Sequence, residues 1–215
     1  MWVFILSCAA FALVLVISYK KKSLRLLNDD AAVKHPGLMI FLNVSGIFLF
    51  GILPALVYPF PNFFVQENSL LKMFVLITLV LTTSFVAFRV AEKDLEKRIF
   101  TVAPTLLSWN FLSLYFLVRI LFISAYELWF RGFFLEYSTE NYGIVYAVTI
   151  NVVLYVLLHV VNGKREMLSC IPFGILLCLM AIWFGSPLPA VFIHLALTIP
   201  YDIQFVRIKS KTLVA

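Results

Sequence analysis

Charge is what this chain has least of. Only 13% of its 215 residues are Asp, Glu, Lys or Arg, and 63% are hydrophobic. A soluble globular domain carries about a quarter charged residues, so a water-facing surface of ordinary composition is excluded. Cysteine is scarce as well. Cys8, Cys170 and Cys178 all fall inside apolar runs, which leaves no disulfide framework and no zinc-type spacing; they read as buried free thiols. No Gly-x-Ser-x-Gly elbow and no His-Glu-x-x-His pair occurs, so two common hydrolase signatures are missing. There is no internal repeat and no low-complexity stretch.

What is present is a succession of long apolar runs. Residues 2–18, 37–58, 70–91, 101–137, 143–162, 167–184 and 187–205 each read as a membrane span. The fold class is therefore all-α, a polytopic transmembrane bundle of about seven spans. The fourth run is longer than one bilayer thickness at about 1.5 Å rise per residue, so its helix must tilt, break or project. The net charge of +6 does not point to nucleic acid, because the basic residues lie in short loops between spans. Alternate loops hold Lys20, Lys21, Lys22, Arg25 and Lys34, then Arg89, Lys93, Lys97 and Arg98, then Lys164 and Arg165, then Arg207, Lys209 and Lys211. The intervening loops hold none. That asymmetry sets the N-terminus outside and the C-terminus in the cytoplasm, with anionic lipid headgroups as neighbours of the basic loops. The first run has its positive charge after it, not before, which reads as an uncleaved anchor.

Three runs carry polar residues where a membrane should not tolerate them. The fourth holds Arg119, Tyr126, Glu127 and Arg131; Glu127 and Arg131 lie four apart and share a helix face. The fifth holds Asn151, Tyr155 and His159, again at intervals of four. The seventh holds His194, Thr198 and Asp202, with Pro200 loosening the helix between the last two. In lipid such stripes must face one another or a water-filled cavity. Read blandly, each is glue between helices. Read as chemistry, they offer water activation by a carboxylate and a histidine, or a zinc site from Glu127, His159 and His194, for which the spacing is not specific.

The motifs Glu127-x-x-x-Arg131-Gly132, Tyr155-x-x-x-His159 and Gly185-Ser186-Pro187-Leu188 running into His194-x-x-x-Thr198 resemble the CAAX protease and bacteriocin-processing family. That family includes the type II CAAX prenyl endopeptidases and the lysostaphin-resistance-like proteins. The resemblance runs from about residue 101 to residue 205. It implies intramembrane proteolysis; no cofactor is expected, with a divalent metal such as zinc as the alternative. In the family's first motif, Glu-Glu-x-x-x-Arg, the first glutamate activates water with the second-motif histidine, here His159. The third-motif histidine, here His194, and an asparagine four residues later stabilise the oxyanion. This chain departs from the pattern at both ends: Tyr126 stands at the first glutamate and Thr198 at the asparagine. Tyr155 stands where phenylalanine is usual.

The expectations are then as follows. Residues 1–100 are accessory transmembrane helices, 101–206 the protease-like core and 207–215 a basic cytoplasmic tail. Glu127, His159, His194 and Thr198 are the candidate catalytic residues, supported by Tyr126, Arg131, Tyr155 and Asn151. The chain is either an endopeptidase in which Glu127 substitutes as water activator, or a silent relative that binds a peptide or membrane-protein partner as an accessory or immunity protein. The short chain and compact loops suggest a bacterial cell membrane.

Overall fold

The computed structural model describes residues 1–28, 31–61, 69–96 and 102–214. Its described part is built from seven helices: α1 (Trp2–Lys20), α2 (Pro36–Ala55), α3 (Leu70–Glu96), α4 (Trp109–Tyr142), α5 (Ile144–Leu158), α6 (Lys164–Phe184) and α7 (Leu188–Val214). Six are long and apolar enough to cross a membrane, and α5 is a shorter apolar helix. The all-α bundle of about seven spans is borne out. A minimal hairpin, Leu27–Asn28 with Ala31–Ala32, lies between α1 and α2.

The helices bury little of themselves. On α1 the buried residues are Phe4, Ser7, Phe11 and Ser18, one narrow face at intervals of three, four and seven. On α3, Leu70, Phe74, Leu81 and Phe85 form an exposed stripe at helical spacing. Such a stripe suits lipid, whose tails offer no penalty to apolar side chains, and does not suit water.

Two helices contain widened turns. In α2, Ile47–Ile52 is a π-turn, and Pro54 follows it closely. Proline has no N–H to donate and its ring crowds the carbonyl four residues back, at Phe50, so a wider turn there relieves the clash. Gly46, just before this turn, packs against α4. A Cβ on it would lie 2.2 Å from Cε2 of Phe122 and 3.0 Å from Phe11. Gly46→Ala is therefore expected to destabilise the protein by about 1–3 kcal/mol, through displacement of the Phe122 ring; thermal unfolding in detergent would read it.

The second π-turn, Leu128–Phe134, interrupts α4. The expected overlong helix is thus real and broken. It starts later than its apolar run, because Pro104–Leu107 forms a 3-10 turn and Ser108 caps the helix, its Oγ accepting from the Phe111 N–H at 3.4 Å. It ends at Tyr142 rather than near residue 137. Residue 101 lies outside the described residues. Two other bounds differ. The seventh helix does not stop at residue 205 but continues to Val214, so the expected separate tail is helical through 214. The fifth stops at Leu158, short of the expected residue 162, for a reason that lies in His159 itself.

Candidate functional site

His159 ends α5 by competing for its own helix. Its backbone N–H donates to the Val156 carbonyl, one residue short of the α pattern, while its ring Nδ1 lies 2.7 Å from the Tyr155 carbonyl. A carbonyl can only accept, so Nδ1 carries the proton and Nε2 is left with its lone pair in the neutral ring. The side chain takes the carbonyl that the next helical turn would have used, and a 3-10 turn, Val160–Asn162, follows.

The fourth helix contributes three residues. Tyr126 and Glu127 close its regular part, and Arg131 lies in the π-turn. Glu127 is fully buried, with 0% of its side chain exposed. Its Oε1 accepts from Nδ1 of His194 at 2.5 Å, and its Oε2 lies 3.0 Å from Nη1 of Arg131. The guanidinium nitrogens lack well-aligned hydrogen bonds, so the Arg131 pair is held by charge and distance. Arg131 also lies over the Tyr155 ring, with Cζ 4.6 Å from the centroid. Gly174 on α6 makes room for this: a Cβ there would lie 3.2 Å from Tyr155 and 3.7 Å from Arg131 Nη2. Asn151 works behind the site. Its Nδ2 donates to the Phe130 carbonyl inside the π-turn at 2.5 Å, and its Oδ1 lies 3.4 Å from Sγ of Cys178.

A cavity of about 640 Å³ runs beside these residues. Tyr126, Tyr155, His159, His194 and Thr198 line it. Glu127, Arg131 and Asn151 do not. The Tyr126 ring stands edge-on to both imidazoles, with centroids 6.0 Å from His194 and 6.4 Å from His159. Its hydroxyl is buried and has no hydrogen-bond partner among the described residues. The two histidines thus reach one cavity although their places in the sequence put them at opposite ends of their helices. Because Glu127 fixes the His194 proton on Nδ1, its Nε2 is also an acceptor in the neutral ring. The cavity is therefore lined by two histidines that each keep an acceptor nitrogen in the neutral ring, with Tyr126 and Thr198 beside them. Among the described residues no three His, Cys, Asp or Glu side chains are arranged to hold a metal ion.

A second polar layer reaches the same cavity through Asn43, Arg119 and Asp202. The Tyr115 hydroxyl donates to Oδ2 of Asp202 at 2.7 Å, Arg119 Nε lies 3.8 Å from that oxygen, and Arg119 Nη1 donates to Oδ1 of Asn43 at 3.4 Å. Arg119 and Asp202 were visible in the sequence as polar residues in apolar runs; Asn43 and Tyr115 were not singled out. A lone amide in the second run was the available signal. From the N-terminal helices Phe11, Leu15, Leu42, Asn43, Val86 and Asp94 also line the cavity.

One family model, described as Rce1-like: type II CAAX prenyl endopeptidase Rce1-like, matches residues 104–199. This segment holds all three motifs. No curated protein and no solved structure shows a significant match.

Proposed function

For a chain that is Rce1-like over residues 104–199 and spans a membrane as a helical bundle, we propose a silent role: it keeps the cavity of a CAAX-type peptidase and binds a polypeptide segment there without hydrolysing it. One observation carries the reading. Both oxygens of Glu127 are taken, by His194 and Arg131, in a side chain with no exposure, and the residue that meets the two imidazoles in the cavity is Tyr126. A general base must come within hydrogen-bond reach of the water it deprotonates. Glu127 sits beside the cavity, and a tyrosine hydroxyl with a pKa near 10 does not serve at neutral pH. The groups that remain suit a peptide backbone, with imidazole acceptors for its N–H groups. The protein acts in this reading as an accessory or immunity component of a bacterial cell membrane.

A second reading keeps hydrolysis. The Glu127–His194 contact at 2.5 Å is a carboxylate–imidazole pair, and such a carboxylate orients and stabilises a histidine that serves as base through Nε2. Arg131 weakens this, because it already compensates the Glu127 charge from 3.0 Å. The test is direct. The protein in lipid nanodiscs is incubated with fluorogenic apolar peptides, prenylated and unprenylated, and both binding and cleavage are followed. Saturable binding with no product is the expected result. Turnover that disappears in His194→Ala would establish the second reading in place of the first.

A further inference from the structure

Arg119 is a cation that its surroundings only half satisfy. It stands on the same cavity wall as Phe122, Ile123 and Tyr126, at helical intervals along α4. Its side chain is 20% exposed, so water screens its charge little. Oδ2 of Asp202 lies 3.8 Å from Nε, too far for a hydrogen bond. Nε is buried and has no hydrogen-bond partner among the described residues. Nη1 reaches Oδ1 of Asn43 at 3.4 Å, which is long for such a bond.

The two neighbours are held from elsewhere and do not close in. Asp202 Oδ2 accepts from the hydroxyl of the buried Tyr115 at 2.7 Å. Asn43 is fixed through its own amide, whose Nδ2 donates to the Met39 carbonyl at 2.7 Å. The other two arginines that line the cavity differ. Arg25 is bonded to Glu166 at 2.8 Å. Arg165 lies 4.0 Å from Asp94 but is 87% exposed, where solvent screens it. Arg119 combines burial with spare donors. A guanidinium so placed is costly until an acceptor completes it. A carboxylate is the group whose two oxygens match its planar fork. Val90, Phe122, Ile123 and Leu197 make much of the wall around it apolar.

We propose that Arg119 is a specificity residue: it takes a carboxylate of the polypeptide held in the cavity, so that the cavity selects apolar segments bearing an acidic group, on a side chain or at a free C-terminus. This rests on the reading of the cavity as a polypeptide site. Asp202 opposes the incoming charge and so limits the preference, in part only, because the Tyr115 hydroxyl already meets its own charge.

The test is a ratio. The full protein in lipid nanodiscs is titrated at neutral pH with two pairs of apolar peptides that differ by one charge. One pair is blocked at both ends and carries Glu or Gln; the other ends in a free C-terminal carboxylate or its amide. The acidic member is expected to bind about tenfold more tightly in at least one pair, and that pair names the source of the carboxylate. In Arg119→Gln the ratio should fall to about one. Arg119→Lys keeps the charge without the fork and should fall partway. Asp202→Asn removes the opposing charge and should raise the ratio. Mere structural damage lowers both members of a pair alike and does not move it. If Arg119→Gln does not fold, the double variant Arg119→Gln, Asp202→Asn, which removes both charges together, stands in and should also give about one. A wild-type ratio near one in both pairs overturns the proposal. So does a preference that survives in Arg119→Gln and in the double variant. Product formation on the same samples would overturn the silent role alone, with the selectivity then read as a ratio of kcat/KM. Failure of all four peptides to bind overturns both.

Discussion

Glutamate in place of Tyr126 is expected to create peptide hydrolysis where the wild type shows none. Tyr126 lines the cavity and faces both imidazoles edge-on at 6.0 and 6.4 Å. A carboxylate there is the one group that the silent reading says is missing. Glu127 next to it does not oppose the change strongly, because Arg131 and His194 already compensate its charge. General-base catalysis supplies roughly 10²-fold or more in rate, so product should appear well above the wild-type background. The substitution has a structural cost. Tyr126 packs against Phe50, Phe122, Phe130 and Tyr155, with ring centroids from 4.6 to 5.9 Å. Removing that ring should cost about 3 kcal/mol. Tyr126→Gln is the control: it has the same volume change without the base and should stay inactive. If Tyr126→Glu is folded, binds peptide and still makes no product, the base is not what this cavity lacks.

Glu127→Gln tests the other half of the site, and its main effect should be on stability. Arg131 is 3% exposed, its nitrogens have no well-aligned hydrogen bonds, and Glu127 is its ion-pair partner at 3.0 Å. Neutralising the carboxylate leaves a buried cation uncompensated, which costs about 3–5 kcal/mol. It also weakens the hydrogen bond that fixes His194. The expected result is a large fall in the unfolding midpoint in detergent. The double variant Glu127→Gln, Arg131→Met should recover much of it, because a buried ion pair replaced by apolar volume is often neutral. A single variant as stable as wild type would mean that Arg131 finds another acceptor. Under the hydrolytic reading the same single variant also loses its cleavage, a difference that survives correction for the folded fraction.

Much of the bundle is legible in the sequence because lipid imposes one rule on every span. A backbone without water must be helical, and its side chains must be apolar over about 20 residues. That rule alone accounts for the seven runs and for the suspicion attached to Glu127, Arg131, His159, His194 and Asp202 as residues that lipid would not accept. The family motifs pointed to three of those runs as one site, and the family model matches the segment that holds them, residues 104–199.

Where the helices end and which way the polar atoms point lay beyond such a rule. α5 stops at Leu158 because the His159 ring takes the Tyr155 carbonyl, a contest between side chain and backbone that composition does not register. The π-turn at Leu128–Phe134 depends on how α4 packs, and its freed Phe130 carbonyl is met by Asn151 from another helix. One residue along a helix turns a side chain by about 100°. A sequence can therefore place Tyr126 and Glu127 side by side without deciding which of them meets the cavity. Only the packing of α4 against α5 and α7 decided it: Tyr126 faces the histidines in the cavity, and Glu127 is sealed between His194 and Arg131.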